Sequence, residues 1–346
     1  MPGWGRVAAS AAAAALVGLS SGPALAHVKW FCAYDVTLPP LPLSQVLTPT
    51  FLLIAAGFAI LLFVGFALDR LAVRSNWMKP LDRFAAKTVR FQSILVRCGV
   101  GVFFVSLWAL GGIILTPELH TTARIIPWIQ LLIALGTLTK RTCLLSGLGI
   151  IGLYWFGERE YGFFHLMDYP IFIGVALYLI LTPLQRPGRR DLRLAILYGT
   201  AGFTLMWAAI EKFGYPMWTV PLMVEHSRIT MGLDFDVFMI TAGFVEFTLA
   251  FFMITGTALL RLGTFYLFFI FSIAIVDFGL IDAVGHLLII IALFIMTLNG
   301  KTILQDKFRF DGRMGVLAEA GVMTALHYAV LVGFFGLYYG FQRLGT

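Results

Sequence analysis

Histidine and carboxylate side chains recur in pairs along this sequence, at spacings that suit proton transfer or metal binding. Asp282 and His286 are four residues apart, and His165 and Asp168 are three residues apart. On a helix, both spacings place the two side chains on one face. A carboxylate beside an imidazole fixes its tautomer and raises its basicity, which suits a general base or a metal ligand. The alternative is that each pair only caps the end of a helix.

One carboxylate, Glu246, lies well inside an apolar run that extends over residues 237–258. A charged carboxylate at the centre of a membrane costs about 2.5–3.5 kcal/mol on insertion scales, so this side chain must be protonated or paired within a bundle. Lys212, at the end of the preceding apolar run, is the nearest cation in the sequence that could reach it. The sequence therefore predicts either a structural Glu–Lys pair or a proton acceptor beside a pocket for quinone or substrate. The candidate catalytic residues are Glu211, Lys212, Glu246, Asp277, Asp282 and His286.

The histidines suggest a second chemistry, the binding of copper or another transition metal. Residues 1–26 have a basic start, a short apolar core and an Ala-x-Ala ending, which predicts a secretory signal peptide. Cleavage after Ala26 would make His27 the first residue, and its α-amino group and imidazole form a chelate that one further imidazole would complete. The candidate metal ligands are His27, His120, His165, His226 and His286. The alternative is that this terminal segment only packs on the outer surface.

Two further segments bear on the site. Residues 27–49 are rich in proline, which predicts a stiff periplasmic arm that crosses the outer face or simply leads into the first span. Tyr215 and Trp218 lie in an aromatic, proline-containing segment, 215–222. Such a segment anchors in the headgroup layer, and the alternative is that it roofs a pocket for a hydrophobic cofactor such as quinone.

The elements that must position these groups are membrane helices. The chain has 346 residues, of which 60 % are hydrophobic and only 12 % are charged. Globular proteins carry about 25 % charged residues, and three cysteines are too few for a disulfide scaffold. The sequence therefore predicts an all-α polytopic transmembrane bundle of about ten spans. The apolar runs cover residues 50–68, 98–117, 125–139, 142–157, 166–184, 194–212, 237–258, 263–280, 285–298 and 316–340.

Basic residues predict the orientation of these spans. With the mature amino terminus outside, most of the 25 Lys and Arg residues fall in inner loops, as the positive-inside rule requires. The expected location is a bacterial inner membrane, with both mature termini in the periplasm. The net charge of +7 is then a topological signal rather than a sign of nucleic-acid binding, and the lipid bilayer is the first expected partner.

Two stretches of the chain look like copies of one four-helix unit. Arg97 and Arg193 each precede a glycine-containing helix with a tryptophan, and each copy ends with a polar pair before an apolar helix. Because each unit has an even number of spans, the copies would form a parallel repeat about an axis along the membrane normal. The predicted organisation is a signal peptide (1–26), a periplasmic arm (27–49), a first span with a basic loop (50–96), unit 1 (97–192), unit 2 (193–300), and a loop with the last span (301–346).

Unit 2 resembles the DoxX/DoxD-like family of integral membrane proteins. The resemblance rests on the glycine-rich helix that starts at Gly202 and ends in Glu211-Lys212, and on the Gly243-x-x-Glu246 helix. It is weaker in unit 1, where Gln130 occupies the region of the second motif and no acid appears. The resemblance implies a membrane redox setting with quinone and with partner subunits. The leading hypothesis is a redox component that passes electrons from a periplasmic substrate or metal centre toward quinone. The alternatives are a protein that binds or delivers a transition metal, and a non-catalytic assembly or anchoring subunit.

Overall fold

The computed structural model describes residues 28–75, 77–184, 189–310 and 314–345. The predicted signal peptide and the proposed ligand His27 lie outside the described residues. Within them, the chain is helical and contains no β-strand, as the composition predicts. The only extended pairing among these residues is an isolated bridge between Ile113 and His120.

Nine main helices form the bundle in the described part of the chain. They are α1 (Pro49–Arg74), α2 (Lys79–Leu110), α3 (Ile126–Gly136), α4 (Cys143–Tyr161), α5 (Pro170–Leu181), α6 (Arg189–Gly214), α7 (Phe235–Thr255), α8 (Ala258–Asn299) and α9 (Val316–Gly345). Short helical turns at Val28–Trp30 and Leu43–Val46 precede them, and others at Phe163–Leu166, Pro216–Thr219, Val220–Glu225, Ser227–Thr230 and Ile303–Asp306 connect them.

Six of these helices, namely α1, α2, α6, α7, α8 and α9, are long and apolar enough to cross a membrane. This supports a multi-pass membrane protein. Helices α3 and α5 have 11 and 12 residues, whereas a span of about 30 Å of hydrocarbon needs about 20 residues. The predicted run 98–117 also ends early, because α2 stops before Gly111, which has a positive φ of 69°. The structure therefore has a helix at every predicted apolar run, but not ten helices of full spanning length.

Helix α8 covers two of the predicted runs because the chain reverses inside it. Gly279 has φ 73° and ψ −151°, a conformation that a residue with a side chain rarely adopts. The two arms, residues 258–278 and 280–299, then lie against each other. The Thr297 hydroxyl donates to the Thr264 hydroxyl at 2.8 Å, and the rings of Phe271 and His286 are 4.6 Å apart. The reversal brings Asp282 and His286 back into the bundle.

Helices α2 to α8 pack in a closed order, each against the next along the chain, with α8 packing back against α2. Helices α1 and α9 pair with each other and lie against α7 and α6. Two of these helix–helix contacts depend on glycine. A Cβ on Gly99 of α2 would lie 2.0 Å from Ile291 of α8, and a Cβ on Gly174 of α5 would lie 1.8 Å from Thr200 of α6. The absence of a side chain at these two glycines allows α2 to pack closely against α8, and α5 against α6.

Arginines and their partners lie at one end of the bundle, and histidines and acids lie at the other. At one end, which we call the basic end, Arg97 donates to the carbonyl of Thr137, Arg193 donates to the hydroxyl of Thr182, and Arg261 pairs with Asp82. Arginine beside the carboxyl end of a helix satisfies carbonyls that have no partner within the helix. Residues from the predicted inner loops thus meet at one end. The opposite end, which we call the site end, carries the residues of the predicted outer face.

Candidate functional site

Residues 28–47 form a strap that crosses the site end before α1 begins. The Leu41 amide donates to the Gly214 carbonyl at 2.8 Å, and the Tyr215 hydroxyl donates to the Leu38 carbonyl at 2.7 Å. The Tyr339 hydroxyl of α9 donates to the Leu41 carbonyl at 2.7 Å. Of the two courses predicted for the proline-rich arm, the structure therefore shows the one in which the arm crosses an end face of the bundle.

The strap inserts Lys29 into a buried group of acids. Its Nζ lies 2.5 Å from Asp168 Oδ2 and 2.6 Å from Glu211 Oε2. Glu118 and His165 lie beside this pair, with His165 Nε2 at 2.7 Å from Glu118 Oε1. All five residues are at most 6 % exposed. We call Lys29, Glu118, His165, Asp168 and Glu211 the Lys29 cluster.

Aromatic side chains enclose the Lys29 cluster. The Tyr169 hydroxyl donates to Glu118. The Lys29 ammonium lies 5.7 Å from the centre of the Tyr34 ring and 5.3 Å from that of Trp218, within the range of cation–π attraction. Trp218 in turn stacks on Tyr215, with ring centres 4.1 Å apart. Water therefore has little access to the ion pairs, and their electrostatic interactions are strong.

The pKa directions in the cluster reflect its burial and the closeness of its carboxylates to Lys29. Burial alone would lower the pKa of Lys29, but the carboxylates of Asp168, Glu211 and Glu118 outweigh it and raise that pKa above its ordinary value. Burial also raises the pKa of Asp168, although the Lys29 ammonium opposes the shift. Neighbouring carboxylates therefore favour the charged form of Lys29, whereas burial favours the neutral form of Asp168.

A cavity of about 80 Å³ adjoins the cluster inside the ring of helices. This volume holds several water molecules or part of a small ligand. Polar groups enter it from the loop before α5, from α6, from α7 and from α8, while most of its wall is apolar. The polar and aromatic lining residues are Trp30, Thr116, Asp168, Tyr169, Thr204, Glu211, Lys212, Tyr215, Thr219, Glu246 and His286, and the apolar ones include Ile171, Phe172, Leu205, Phe271, Leu288 and Ile289.

The predicted pair of Glu246 and Lys212 is present. Lys212 Nζ lies 2.5 Å from Glu246 Oε2, and the two side chains are 17 % and 14 % exposed. The pair joins α6 to α7, so the predicted structural Glu–Lys contact exists. Both residues also line the cavity, which is the position that the predicted proton acceptor requires.

The predicted pair of Asp282 and His286 is also present, on the second arm of α8. His286 Nδ1 lies 3.0 Å from Asp282 Oδ1, although the two groups are not aligned as a hydrogen bond. Asp282 is fully buried, and neither carboxylate oxygen has a hydrogen-bond donor. The His286 ring lies between Trp30 and Phe271, at 4.5 and 4.6 Å between ring centres, and it lines the cavity.

His165 and Asp168, which the sequence predicts as a pair, have different partners in the structure. His165 contacts Glu118 and Asp168 contacts Lys29, because the turn Phe163–Leu166 ends between them and α5 starts only at Pro170. They do not lie on one continuous helix face. The donor atoms of Glu118, His165 and Asp168 are nevertheless within 4.8 Å of one another. A metal ion held by these three would compete with the Lys29 ammonium for Asp168.

The other candidate residues lie away from the cavity. Asp277 is exposed near the reversal of α8. His120 is exposed, with its carbonyl accepting from the Tyr161 hydroxyl, and the His226 ring lies 5.0 Å from that of Phe278. The cluster that can hold a metal in the described residues thus contains one of the five predicted histidines. Trp218 contacts Lys29 and Tyr215 rather than lining the cavity.

Sequence reasoning overlooked the central residue, Lys29. The signal for it was its charge, since it is one of few basic residues on an outer face rich in acids. Spacing could not assign it, because its partners Asp168 and Glu211 follow 139 and 182 residues later.

Comparisons of the chain with models of protein families, with curated proteins and with solved structures find no match.

Proposed function

We propose that this protein is an integral membrane redox component whose cavity binds the head group of a quinone and exchanges protons with it. One observation carries the proposal: three carboxylates, a lysine and an imidazole enter a single cavity whose wall is otherwise mostly aromatic and aliphatic. An apolar cavity with a few convergent polar groups is the usual form of a small-molecule site.

Quinone chemistry matches this combination of groups. Reduction of a quinone to a quinol takes up two electrons and two protons at the two ring oxygens, so the site must accept an apolar ring and supply protons. Glu246 beside Lys212, and His286 beside Asp282, are side chains that can hold and transfer protons at the cavity wall. The electrons would come from a periplasmic reductant or from the metal centre of a partner subunit.

The resemblance to the DoxX/DoxD-like family and the parallel repeat belong to this proposal. The order of helix packing supports the repeat. Helix α5, the last of unit 1, packs against α6, the first of unit 2, and α8, the last of unit 2, packs against α2, the first of unit 1. A pseudo-twofold axis would relate these two contacts. The same proposal includes ten spans, an inner-membrane location and periplasmic termini. It follows that the cavity would open toward the periplasmic half of the membrane.

Metal binding is the second candidate function, and the convergence of Glu118, His165 and Asp168 favours it. It predicts stoichiometric copper, zinc or iron in the purified, signal-processed protein, measured by elemental analysis. Loss of that metal in a His165→Ala variant would assign the ion to these residues. Purified protein without metal would remove this candidate.

Ligand binding in lipid nanodiscs tests the leading proposal. A short-chain ubiquinone added to the wild type should bind saturably at one site per chain, measured by calorimetry and by quenching of tryptophan fluorescence. Glu246→Gln should weaken binding about tenfold, since a hydrogen bond to a charged group contributes about 1.5–3 kcal/mol. Asp236→Asn, at the exposed start of the same helix, is the matched control and should bind as the wild type does.

Catalysis is tested separately, by measuring quinone reduction with the purified protein alone and in native membranes, where partner subunits are present. Activity that the purified protein retains and that Glu246→Gln loses would support the redox role. Absence of quinone binding in the wild type would overturn the proposal. Binding without any electron transfer, even in native membranes, would instead favour an assembly or anchoring subunit.

A further inference from the structure

The cavity is too small, in this structure, for the ring of the proposed ligand. Its volume is about 80 Å³, whereas a protein cavity that encloses benzene has a volume of about 150 Å³. A quinone ring carries oxygen atoms that benzene lacks, so it needs more room still. A side chain that lines the cavity therefore has to move before a quinone ring can enter.

Trp30 is the cavity residue that the strap supplies. Among the described residues that line the cavity, the others belong to helices or to the loops between them. The Trp30 ring lies 4.5 Å from the His286 ring, centre to centre. A Cβ on Gly285 would come within 2.2 Å of the six-membered part of the indole. Gly285 therefore leaves a slot beside His286 at the cavity wall, and the indole fills this slot.

We infer that this slot binds the planar ring of the cavity ligand, and that Trp30 is a plug that the ligand displaces. An indole and a quinone ring are both flat, so one can replace the other against the His286 imidazole and over Gly285. The identity of the ring as a quinone rests on the proposed function. The plug itself requires only a planar ring of similar size.

The strap can release Trp30 and still remain attached to the bundle. Its main chain is fastened at Leu38 and Leu41, whose carbonyls accept from the hydroxyls of Tyr215 and Tyr339. Trp30 precedes the first of these anchors by 8 residues, and an extended chain spans about 3.3–3.6 Å per residue. The first part of the strap can therefore lift the indole out of the slot while both anchors stay in place.

Side chains on both sides of Trp30 hold the plug in the slot when no ligand is bound. Lys29 makes its two buried ion pairs, and the Phe31 ring lies 5.2 Å from that of Phe278. The ligand binds only to molecules in which the indole has left the slot. Its apparent affinity is therefore the intrinsic affinity reduced by the fraction of such open molecules.

Removal of the indole tests the inference, because a plug and a wall of the site predict opposite effects. In nanodiscs, Trp30→Ala should bind short-chain ubiquinone about tenfold or more tightly than the wild type, measured by calorimetry, since a minor open state is populated at about 10 % or less. Trp128→Ala, which removes a tryptophan that is 60 % exposed on α3, is the matched control and should bind as the wild type does. Weaker or equal binding by Trp30→Ala would overturn the inference.

The second test uses the wild type alone, so it does not depend on the folding of a variant. Saturating ubiquinone should release the strap, and trypsin should then cleave the peptide bond after Lys29 faster. Cleavage after Lys301, in an exposed contact at the basic end, is the internal control and should keep its rate. Slower cleavage after Lys29 would show that the ligand seals the strap in place, which would overturn the plug.

Free indole separates the slot from the identity of its ligand. Indole should bind saturably to Trp30→Ala, and at least about tenfold more weakly to the wild type, where the plug competes with it. If ubiquinone binds neither protein but indole binds as expected, the quinone proposal fails and the ring slot stands. If Trp30→Ala binds neither compound, the slot itself is rejected.

Discussion

Lys29 Nζ lies 2.5 Å from Asp168 Oδ2, although 139 residues separate the two along the chain. The contact fastens the strap to the start of α5, and the second contact of Lys29, with Glu211, extends it to α6. A single buried ammonium thus joins three segments of the chain at the site end. It also holds Trp30, the next residue, against His286 at the cavity.

Loss of Lys29 should destabilise the protein. Removing one partner of a buried ion pair costs about 3–5 kcal/mol, and protonation of the remaining acids should limit the loss in Lys29→Met to about 3 kcal/mol. The thermal unfolding midpoint in detergent measures this. Lys301→Met should change stability by less than about 1 kcal/mol, because its ion pair is exposed.

The double variant Lys29→Met with Asp168→Asn distinguishes electrostatics from lost packing. Removing one of the surplus carboxylates should recover part of the stability that Lys29→Met loses. A double variant less stable than Lys29→Met alone would show that charge repulsion among the acids is not the source of the loss.

Gly285 should be essential for seating the strap. A Cβ on this residue would lie 2.2 Å from the Trp30 ring, and overpacking of this kind costs about 1–3 kcal/mol. Gly285→Ala should therefore release the strap and expose the peptide bond after Lys29 to trypsin. Gly336→Ala in α9, where a Cβ would meet no atom within 4 Å, is the control and should be cleaved at the wild-type rate. Equal cleavage of both variants would contradict the predicted role of Trp30.

Asp282 should orient His286 rather than stabilise the fold. Its carboxylate is fully buried without a hydrogen-bond donor, so Asp282→Asn removes a charge that is costly to bury. Stability should stay the same or rise by about 1 kcal/mol. Ubiquinone binding should weaken, because the imidazole loses the carboxylate that fixes its orientation at the cavity wall. A large loss of stability with unchanged ubiquinone binding would assign Asp282 a purely structural role.

Cys32 provides a test of sidedness with a defined pH dependence. Burial raises the pKa of its thiol above the ordinary value of 9.0, so less thiolate is present at neutral pH and alkylation should be slow. The rate should rise with pH and continue to rise beyond pH 9. An impermeant maleimide should label this residue in spheroplasts, and Cys32→Ser should abolish the labelling. Labelling of Cys32 only after permeabilisation would place the site end in the cytoplasm.

The sequence alone determined the class of fold and several local pairs. An apolar composition and helical runs leave a bundle as the only way to satisfy backbone hydrogen bonds in lipid, and the runs correspond to helices in the structure. Contacts within one helix, or between helices that follow each other along the chain, could also be predicted. Asp282 with His286 follows from helix periodicity, and Lys212 with Glu246 follows from the adjacency of α6 and α7.

Only the tertiary structure decided which groups share the site. Lys29 contacts Asp168 and Glu211, His165 contacts Glu118 instead of Asp168, and Asp277 lies outside the cavity. These outcomes depend on the course of the strap, on the break between residues 166 and 170, and on the reversal at Gly279. Local periodicity carries no information about them, because each is set by how distant segments balance charge and fill space once the helices have packed.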